Sequence, residues 1–247
     1  MDTGLAGRRA AVAAASKGLG FASARALAAE GARVAICGRS KARIEDAAAM
    51  IGDGAIPVVA DVSTPDGARQ FVVDARDALG GLDVLVTNAG GPPPGTFETT
   101  PLERYPEALA LNLLSVVAMC QEAVPGLRAQ HFGRIVAITS ISVRQPIANL
   151  ILSNTARAGA TAFLKTLARE VAGDGVTVNS VQPGNHATER MLDLYGGLEQ
   201  AAATTPTGEL GRPEDFGAVV AFLCSDPARF ITGAAIPVDG GSYAGLL

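Results

Sequence analysis

The sequence predicts an α/β fold, with a single domain built around a doubly wound, seven-stranded parallel sheet. Short apolar runs alternate with longer segments whose apolar residues recur at helical spacing, which is typical of repeated strand–helix–strand units. At 247 residues, with 48% apolar and 18% charged residues, the chain can bury one large core. No linker or internal repeat interrupts the pattern, so we expect residues 1–247 to form one domain.

Glycine, proline and polar residues mark the ends of the predicted strands and helices. The predicted strands are 9–15, 32–37, 56–60, 84–87, 134–139, 177–181 and 234–238. The predicted helices are 20–31, 41–51, 65–79, 102–130, 154–172 and 213–224. The stretch 185–211 contains Gly196-Gly197 and a tail rich in Thr and Pro, and it predicts an irregular, mobile loop over a substrate site.

Charge and cysteine usage exclude several classes of protein. The formal net charge is −4 and there is no basic run, so we expect no nucleic-acid partner. Three cysteines lie far apart among apolar residues, which indicates neither a metal site nor a disulfide framework but small buried side chains in a reducing compartment. They are Cys37, Cys120 and Cys224.

The N-terminus shows no basic segment followed by an apolar one. The longest apolar candidate, 108–121, is bounded by Glu107 and Glu122, which favours a buried helix over a membrane span. These features predict a cytoplasmic protein with no membrane partner.

The turn after the first predicted strand has the composition of a phosphate-binding turn. It reads Ala13-Ala14-Ala15-Ser16-Lys17-Gly18-Leu19-Gly20 and leads into a predicted helix. Such a turn presents the free N–H groups of a helix N-terminus, which bind a pyrophosphate. An ordinary strand-to-helix turn has the same composition, so the segment is informative only in combination with motifs elsewhere in the chain.

Further short motifs come after the later strands. They are Asp61-Val62, Asn88-Ala89-Gly90, Asn112, Ser140, Pro183-Gly184 and Asp239-Gly240-Gly241. In this order and at these spacings the chain resembles the short-chain dehydrogenase/reductase family over its whole length, in particular 3-oxoacyl-ACP reductase-like members. The resemblance implies a Rossmann-type fold that binds NAD(P)(H) at the carboxyl edge of the strands, and a homotetramer or homodimer.

The resemblance also implies the cofactor contacts. The phosphates would contact Ser16, Lys17, Gly18, Leu19 and Gly20, and the adenine would contact Asp61 and Val62. The ribose side would contact Asn88, Ala89 and Gly90. The nicotinamide end would contact Pro183, Gly184 and Thr188. Ala14 stands where the family has its first glycine, and we expect its methyl group to narrow the turn slightly.

Charge at the end of the second strand bears on cofactor choice. An NAD enzyme places an acidic side chain there, which binds the ribose hydroxyls and would repel a 2′-phosphate. Gly38 occupies that position, Arg39 follows it, and Lys17 lies in the phosphate turn. Two cations would converge on a 2′-phosphate, the alternative being two solvated surface cations. We therefore expect NADP(H).

The departure from the family lies in its proton-transfer pair. Members carry a Tyr thirteen residues after the catalytic serine and a Lys four residues later, whereas the positions after Ser140 hold Ser153 and Arg157. A serine hydroxyl is far less acidic than a tyrosine hydroxyl, so Ser153 would be a poor general acid. Arg157 would still bond the ribose hydroxyls, but it cannot relay a proton because it does not deprotonate.

Three more residues are candidates for catalysis. Ser140 would donate a hydrogen bond to a substrate oxygen and Asn112 would order water or backbone, the alternatives being a strand-end serine and a helix-interior asparagine that bonds a carbonyl. His186 titrates near neutral pH and would replace the missing acid, unless it is a loop histidine that faces solvent or a backbone carbonyl.

The sequence therefore predicts an NADP(H)-dependent oxidoreductase with a non-standard active site and no metal, acting on a carbonyl, imine or polarised alkene of a small molecule. The missing Tyr favours acceptors that need little acid, such as an iminium or a substrate with its own acidic group. Three alternatives remain: a non-redox lyase or isomerase, a protein that binds the cofactor without turnover, and a ketone reductase that uses His186 or water.

Overall fold

Seven parallel strands form one sheet in the spatial order β3-β2-β1-β4-β5-β6-β7. The computed structural model describes residues 2–52 and 54–246. The strands are β1 (Arg9–Val12), β2 (Arg33–Gly38), β3 (Ile56–Val59), β4 (Val84–Thr87), β5 (Gly133–Ile138), β6 (Val176–Pro183) and β7 (Ala235–Val238). The chain order reverses between β1 and β4, so the carboxyl ends of these two strands border the crevice where α/β proteins bind ligands. The predicted seven-stranded parallel sheet is confirmed.

Helices cover both faces of the sheet and bury its central strands, whereas the edge strands β3 and β7 are partly exposed. They are α1 (Gly18–Ala29), α2 (Lys41–Ile51), α3 (Pro65–Leu79), α4 (Tyr105–Leu109), α5 (Ser115–Ala129), α6 (Ile151–Val171), α7 (Glu189–Tyr195), α8 (Leu198–Ala203) and α9 (Pro213–Cys224). One core cluster joins the sheet to α3, α5 and α6, and the other joins it to α1, α2 and α9. The three cysteines are buried and free, as their apolar surroundings predicted.

The segment predicted as one helix over 102–130 is divided in the structure. A short 3₁₀ turn, Leu102–Arg104, precedes α4, and a π-helical turn, Ala110–Leu114, separates α4 from α5. By length and composition Leu102–Ala129 could cross a membrane, but α5 packs against α3 and α6 within the domain. The π turn widens the helix locally and so sets the position of Asn112.

The structure differs from the prediction of an irregular stretch over 185–211, because this stretch contains α7 and α8. Gly196 ends α7 in the left-handed conformation, with φ 72°, and Gly197 precedes α8 in an extended conformation. Glycine adopts the left-handed conformation without steric cost, so the Gly196-Gly197 pair separates two short helices instead of marking a long loop.

Candidate active site

The phosphate turn begins where β1 ends, at Val12 rather than at the predicted residue 15. Ala14 adopts a left-handed conformation with φ 47°, which costs a residue with a side chain about 1–2 kcal/mol. Its N–H group lies 3.3 Å from Cys37 Sγ, and its carbonyl accepts a 3.2 Å hydrogen bond from Asn88 Nδ2. The methyl group at the position of the family's first glycine therefore strains the backbone, whereas the sequence had suggested a slightly narrower turn.

Two glycines shape the rest of the turn. Gly18 begins α1 with φ 62°, and a Cβ atom there would lie 3.8 Å from Thr188 Cγ2, so the cofactor candidates Gly18 and Thr188 are neighbours. At Gly20 a Cβ atom would lie 2.6 Å from the Ala14 oxygen and 2.7 Å from Asn88 Nδ2. Only glycine lets the first turn of α1 approach the ends of β1 and β4 this closely. Ser16, Lys17 and Leu19 complete the turn, as the resemblance implies.

Lys17 and Arg39 each have an anionic neighbour of their own in the structure. Lys17 pairs with Glu189 of α7, and both side chains are exposed. Arg39 instead acts on Asp61: burial alone would raise the pKa of Asp61, but hydrogen bonds from Ser63 and the charge of Arg39 hold it below its usual value. The two cations thus have separate anionic neighbours, and Glu189 is a residue that sequence reasoning missed.

Gly38 has a steric role that its position in the sequence did not reveal. A Cβ atom at Gly38 would lie 3.3 Å from the Ser16 Cβ atom and 3.4 Å from Ile44 Cδ1. An acidic side chain here would press against the phosphate turn. Ser40, which follows Arg39, caps α2 by accepting a 3.5 Å hydrogen bond from the Arg43 N–H group.

Asn112 faces the loop that follows β4. Its Nδ2 donates a 2.9 Å hydrogen bond to the Gly90 carbonyl, as the alternative of a carbonyl-bonding asparagine predicted. Its Oδ1 is buried and has no hydrogen-bond partner among the described residues. A buried carbonyl oxygen without a donor is costly, and a bound water or ligand donor would relieve that cost. In the same loop, a Cβ atom at Gly90 would meet no atom within 4 Å.

Arg157 lies buried on α6 and uses its guanidinium on main-chain carbonyls. Nη1 donates to the carbonyls of Ile138 and Thr139 at 3.1 and 3.2 Å, and Nη2 donates to that of Ala89 at 3.5 Å. Burial and the nearby charge of Arg190 lower the pKa of Arg157 to about 10, so the group remains a cation at neutral pH. The arginine thereby joins the ends of β4 and β5.

Ser140 and Ser153 are each linked to Arg157 by the backbone, the first through the carbonyls that Arg157 binds and the second through α6. Ser140 directly follows the two β5 carbonyls that Arg157 binds, and its Oγ accepts a 3.1 Å hydrogen bond from the Ser142 N–H group. Ser153 lies in the first turn of α6, because this helix begins at Ile151 and not at the predicted residue 154. It is buried on the same helix, one turn before Arg157.

His186 belongs to the opposite layer of the domain. It is buried, its ring packs edge-on against Phe216 of α9 with centroids 5.1 Å apart, and its Nδ1 lies 3.2 Å from the Gly184 carbonyl. Burial lowers the pKa of His186 below its ordinary value, since desolvation outweighs the Gly184 contact and the charges of Asp215 and Asp239. The structure thus shows the carbonyl contact that was its alternative interpretation.

The remaining cofactor candidates lie along the carboxyl edge of the sheet. Pro183 ends β6, and Gly184 donates its N–H group to the Val238 carbonyl at 3.0 Å. A Cβ atom at Gly184 would lie 2.8 Å from the Asp239 Cα atom, so the segment passes close to the end of β7. Val62 is buried in the core next to Asp61. The structure therefore brings the cofactor candidates to one edge.

The sheet order and this edge define a Rossmann-type α/β protein. The profile of the family described as "Enoyl-(Acyl carrier protein) reductase" matches residues 13–243. The chain belongs to the short-chain dehydrogenase/reductase family, whose relatives imply a nicotinamide cofactor.

Relatives and solved structures of similar length support this assignment. The 3-oxoacyl-[acyl-carrier-protein] reductase of Vibrio cholerae is 34% identical over 97% of this chain and 98% of its own length. The L-rhamnose 1-dehydrogenase (NAD(P)(+)) of a Sphingomonas species is 36% identical over 98% of each chain. The structure of L-sorbose reductase from Gluconobacter frateurii, complexed with NADPH and L-sorbose, has a TM-score of 0.94 and 32% identity and covers 100% of both chains.

Proposed function

We propose that this protein is an NADP(H)-dependent reductase with an atypical active site, acting on a carbonyl, imine or polarised alkene of a small molecule. The observation that carries the proposal is the buried cation of Arg157 beside Ser140 and Ser153, in a sequence with no Tyr-x-x-x-Lys segment. The site would bind and polarise an acceptor, but Ser153 stands at the position from which the family's tyrosine donates a proton.

The turn after β1 and the loop after β4 fit a nicotinamide cofactor. The close approach at Gly20 brings the first turn of α1 against the ends of β1 and β4, and the buried Oδ1 of Asn112 has no hydrogen-bond partner among the described residues. When bound, the cofactor supplies a hydride at C4 of its nicotinamide ring. Arg39 supports NADP(H), because no acidic side chain follows β2 to repel a 2′-phosphate.

The side chains of the site would bind the acceptor and the cofactor but would contribute little to proton transfer. The Ser140 hydroxyl would donate to the acceptor oxygen or nitrogen and orient it. Arg157 would bond the ribose hydroxyls with N–H groups that are not used on the carbonyls of β4 and β5, and its charge would favour developing negative charge on the acceptor. Ser153 would contribute little acid catalysis. Acceptors that carry a proton or stabilise negative charge themselves therefore suit the site better than plain ketones do.

The alternatives differ in measurable ways. A lyase or isomerase on this scaffold would transform substrate with no net change in NADPH, and a binding protein would bind NADPH without turnover. A ketone reductase that recruits His186 would lose activity on His186→Ala, although the histidine packs against α9.

The deciding experiment follows NADPH oxidation with a ketone and a matched α,β-unsaturated ketone. We expect low ketone activity in the wild type and a Ser153→Ala loss below about tenfold, against the roughly 10²–10⁴-fold typical of removing a positioned proton donor. Arg157→Ala should mainly weaken NADPH binding. The exposed α6 residue Thr155 provides the control Thr155→Ala.

A gain-of-function variant completes the test. The double change Ser153→Tyr with Arg157→Lys should raise ketone reduction. Strong ketone reduction by the wild type that collapses in Ser153→Ala would overturn the proposal, and substrate conversion without NADPH oxidation would favour the lyase or isomerase.

A further inference from the structure

Two arginines donate hydrogen bonds to main-chain carbonyls of the loop that follows β4. The Nη2 atom of Arg157 donates to the Ala89 carbonyl, and the Nη2 atom of Arg190, in the first turn of α7, donates to the Pro92 carbonyl at 2.9 Å. Gly91 makes the second contact possible, because a Cβ atom there would lie 3.0 Å from Arg190 Nη2 and 3.3 Å from its Cζ. α6 and α7 thus each direct a guanidinium group to the loop after β4, that of Arg157 from the buried side.

No described carboxylate side chain compensates these two charges, and the side chain of Asp193 on α7 lies outside those described. Among the ion pairs of the described residues, none includes Arg157 or Arg190, and the neighbouring Glu189 is taken by Lys17. The positive charge of Arg190 adds to burial in lowering the pKa of Arg157, which indicates that the two cations lie close enough to repel each other. Paired like charges without a counterion are unfavourable in a partly buried place, and an anionic ligand between them would reverse the sign of the interaction.

We propose that Arg190 binds the carboxylate of the acceptor substrate, and that the nearby charge of the buried Arg157 adds to the attraction without contacting the carboxylate. This inference rests on the proposed function, since it names the substrate class of the same site. Arginine is suited to the task because its planar N–H groups match the two oxygens of a carboxylate. Arg157 binds the carbonyls that directly precede Ser140, so a carboxylate held here places the rest of a short acceptor near the Ser140 hydroxyl. The substrate class is therefore a small oxo acid or unsaturated oxo acid.

The test compares an anionic probe with its neutral counterpart. Binding of 4-oxopentanoate and of its methyl ester to the complex with NADP⁺ is measured by ligand-observed NMR for wild type, Arg190→Gln and Arg190→Lys. Arg169→Gln removes the same charge from an exposed position on α6 and is the control. We expect the acid to bind the wild type at least about tenfold tighter than the ester, Arg190→Gln to abolish this preference, and Arg190→Lys and Arg169→Gln to keep part or all of it.

The affinity for NADPH shows whether Arg190 binds a carboxylate of the substrate or a phosphate of the cofactor. Unchanged NADPH affinity in Arg190→Gln, together with a lost preference for the acid, supports a substrate carboxylate. If Arg190→Gln binds NADPH more weakly but still prefers the acid to the ester, the arginine serves the cofactor phosphates and the inference is overturned. A wild type that does not prefer the acid, or that binds neither probe, also overturns it. Because the readout is binding, the subsite can fail while reduction of other acceptors still supports the proposed function, and the reverse also holds.

Discussion

Gly20→Ala tests the close packing on which the cofactor turn depends. The added methyl group would lie 2.6 Å from the Ala14 oxygen, a main-chain atom, and 2.7 Å from Asn88 Nδ2. Carbon atoms do not approach oxygen or nitrogen this closely, so α1 must move away from β1 and the hydrogen bond from Asn88 to Ala14 must lengthen.

The expected cost follows from two opposing terms. Overpacking costs about 1–3 kcal/mol and the weakened hydrogen bond about 1 kcal/mol, while alanine in place of glycine in a helix returns at most about 1 kcal/mol. A net destabilisation of about 1–3 kcal/mol lowers the melting temperature of a chain of this size by roughly 3–10 °C. Displacement of the helix N-terminus should also weaken NADPH binding by about tenfold or more, because its N–H groups would no longer converge on the phosphates.

Gly126→Ala is the matched control for this variant. Gly126 lies inside α5, and a Cβ atom there meets nothing within 4 Å. The same substitution should stabilise the protein by about 0.5–1 kcal/mol through helix propensity alone and leave NADPH affinity unchanged.

Thermal unfolding and NADPH titration of the two variants check both effects. If Gly20→Ala melts with the wild type and binds NADPH equally well, the turn is not packed as described and the steric argument is wrong.

The charges of the site and the assembly of the chain give four further predictions. NADPH should bind tighter than NADH by about 1 kcal/mol or more, and Arg39→Asp should reverse this preference; equal affinities in the wild type would remove the argument from Arg39. Glu189→Gln should tighten NADPH binding several-fold with little effect on NADH, because it frees Lys17 from its carboxylate partner; an unchanged titration would contradict a phosphate role for Lys17. His186 is held neutral by burial, so the unfolded chain binds its proton more readily once the pH falls below the ordinary pKa of 6.5. The wild type should therefore lose stability between pH 7 and pH 5 and His186→Gln should lose less, as compared by urea unfolding at each pH. Light scattering should show a dimer or tetramer, and the mass of one chain at micromolar concentration would refute the expected assembly.

The alternation of apolar runs and helical periods was enough to predict the sheet. The strands β1, β2, β4 and β5 are rich in apolar residues because they are buried between two helical layers, and this burial appears in the sequence as short apolar runs. The motif order along the chain likewise placed Ser16, Asn88, Ser140 and Pro183 at one edge, since parallel strands end on the same side. What the sequence itself determined is therefore the sheet, the helices α1, α2, α3, α6 and α9, and the edge that carries the site.

Tertiary structure decided which side chains meet at that edge. The pairing of Lys17 with Glu189 joins residues far apart in the chain, and so does the turn shared by Arg157 and Arg190. No local period reports such contacts, because they depend on how α6 and α7 cross the ends of distant strands. His186 is a second example. Its position in the chain suggested a catalytic role, whereas in the structure its ring packs against Phe216 of α9. Periodicity reports which face of an element is buried, and only the assembled layers determine what it is buried against.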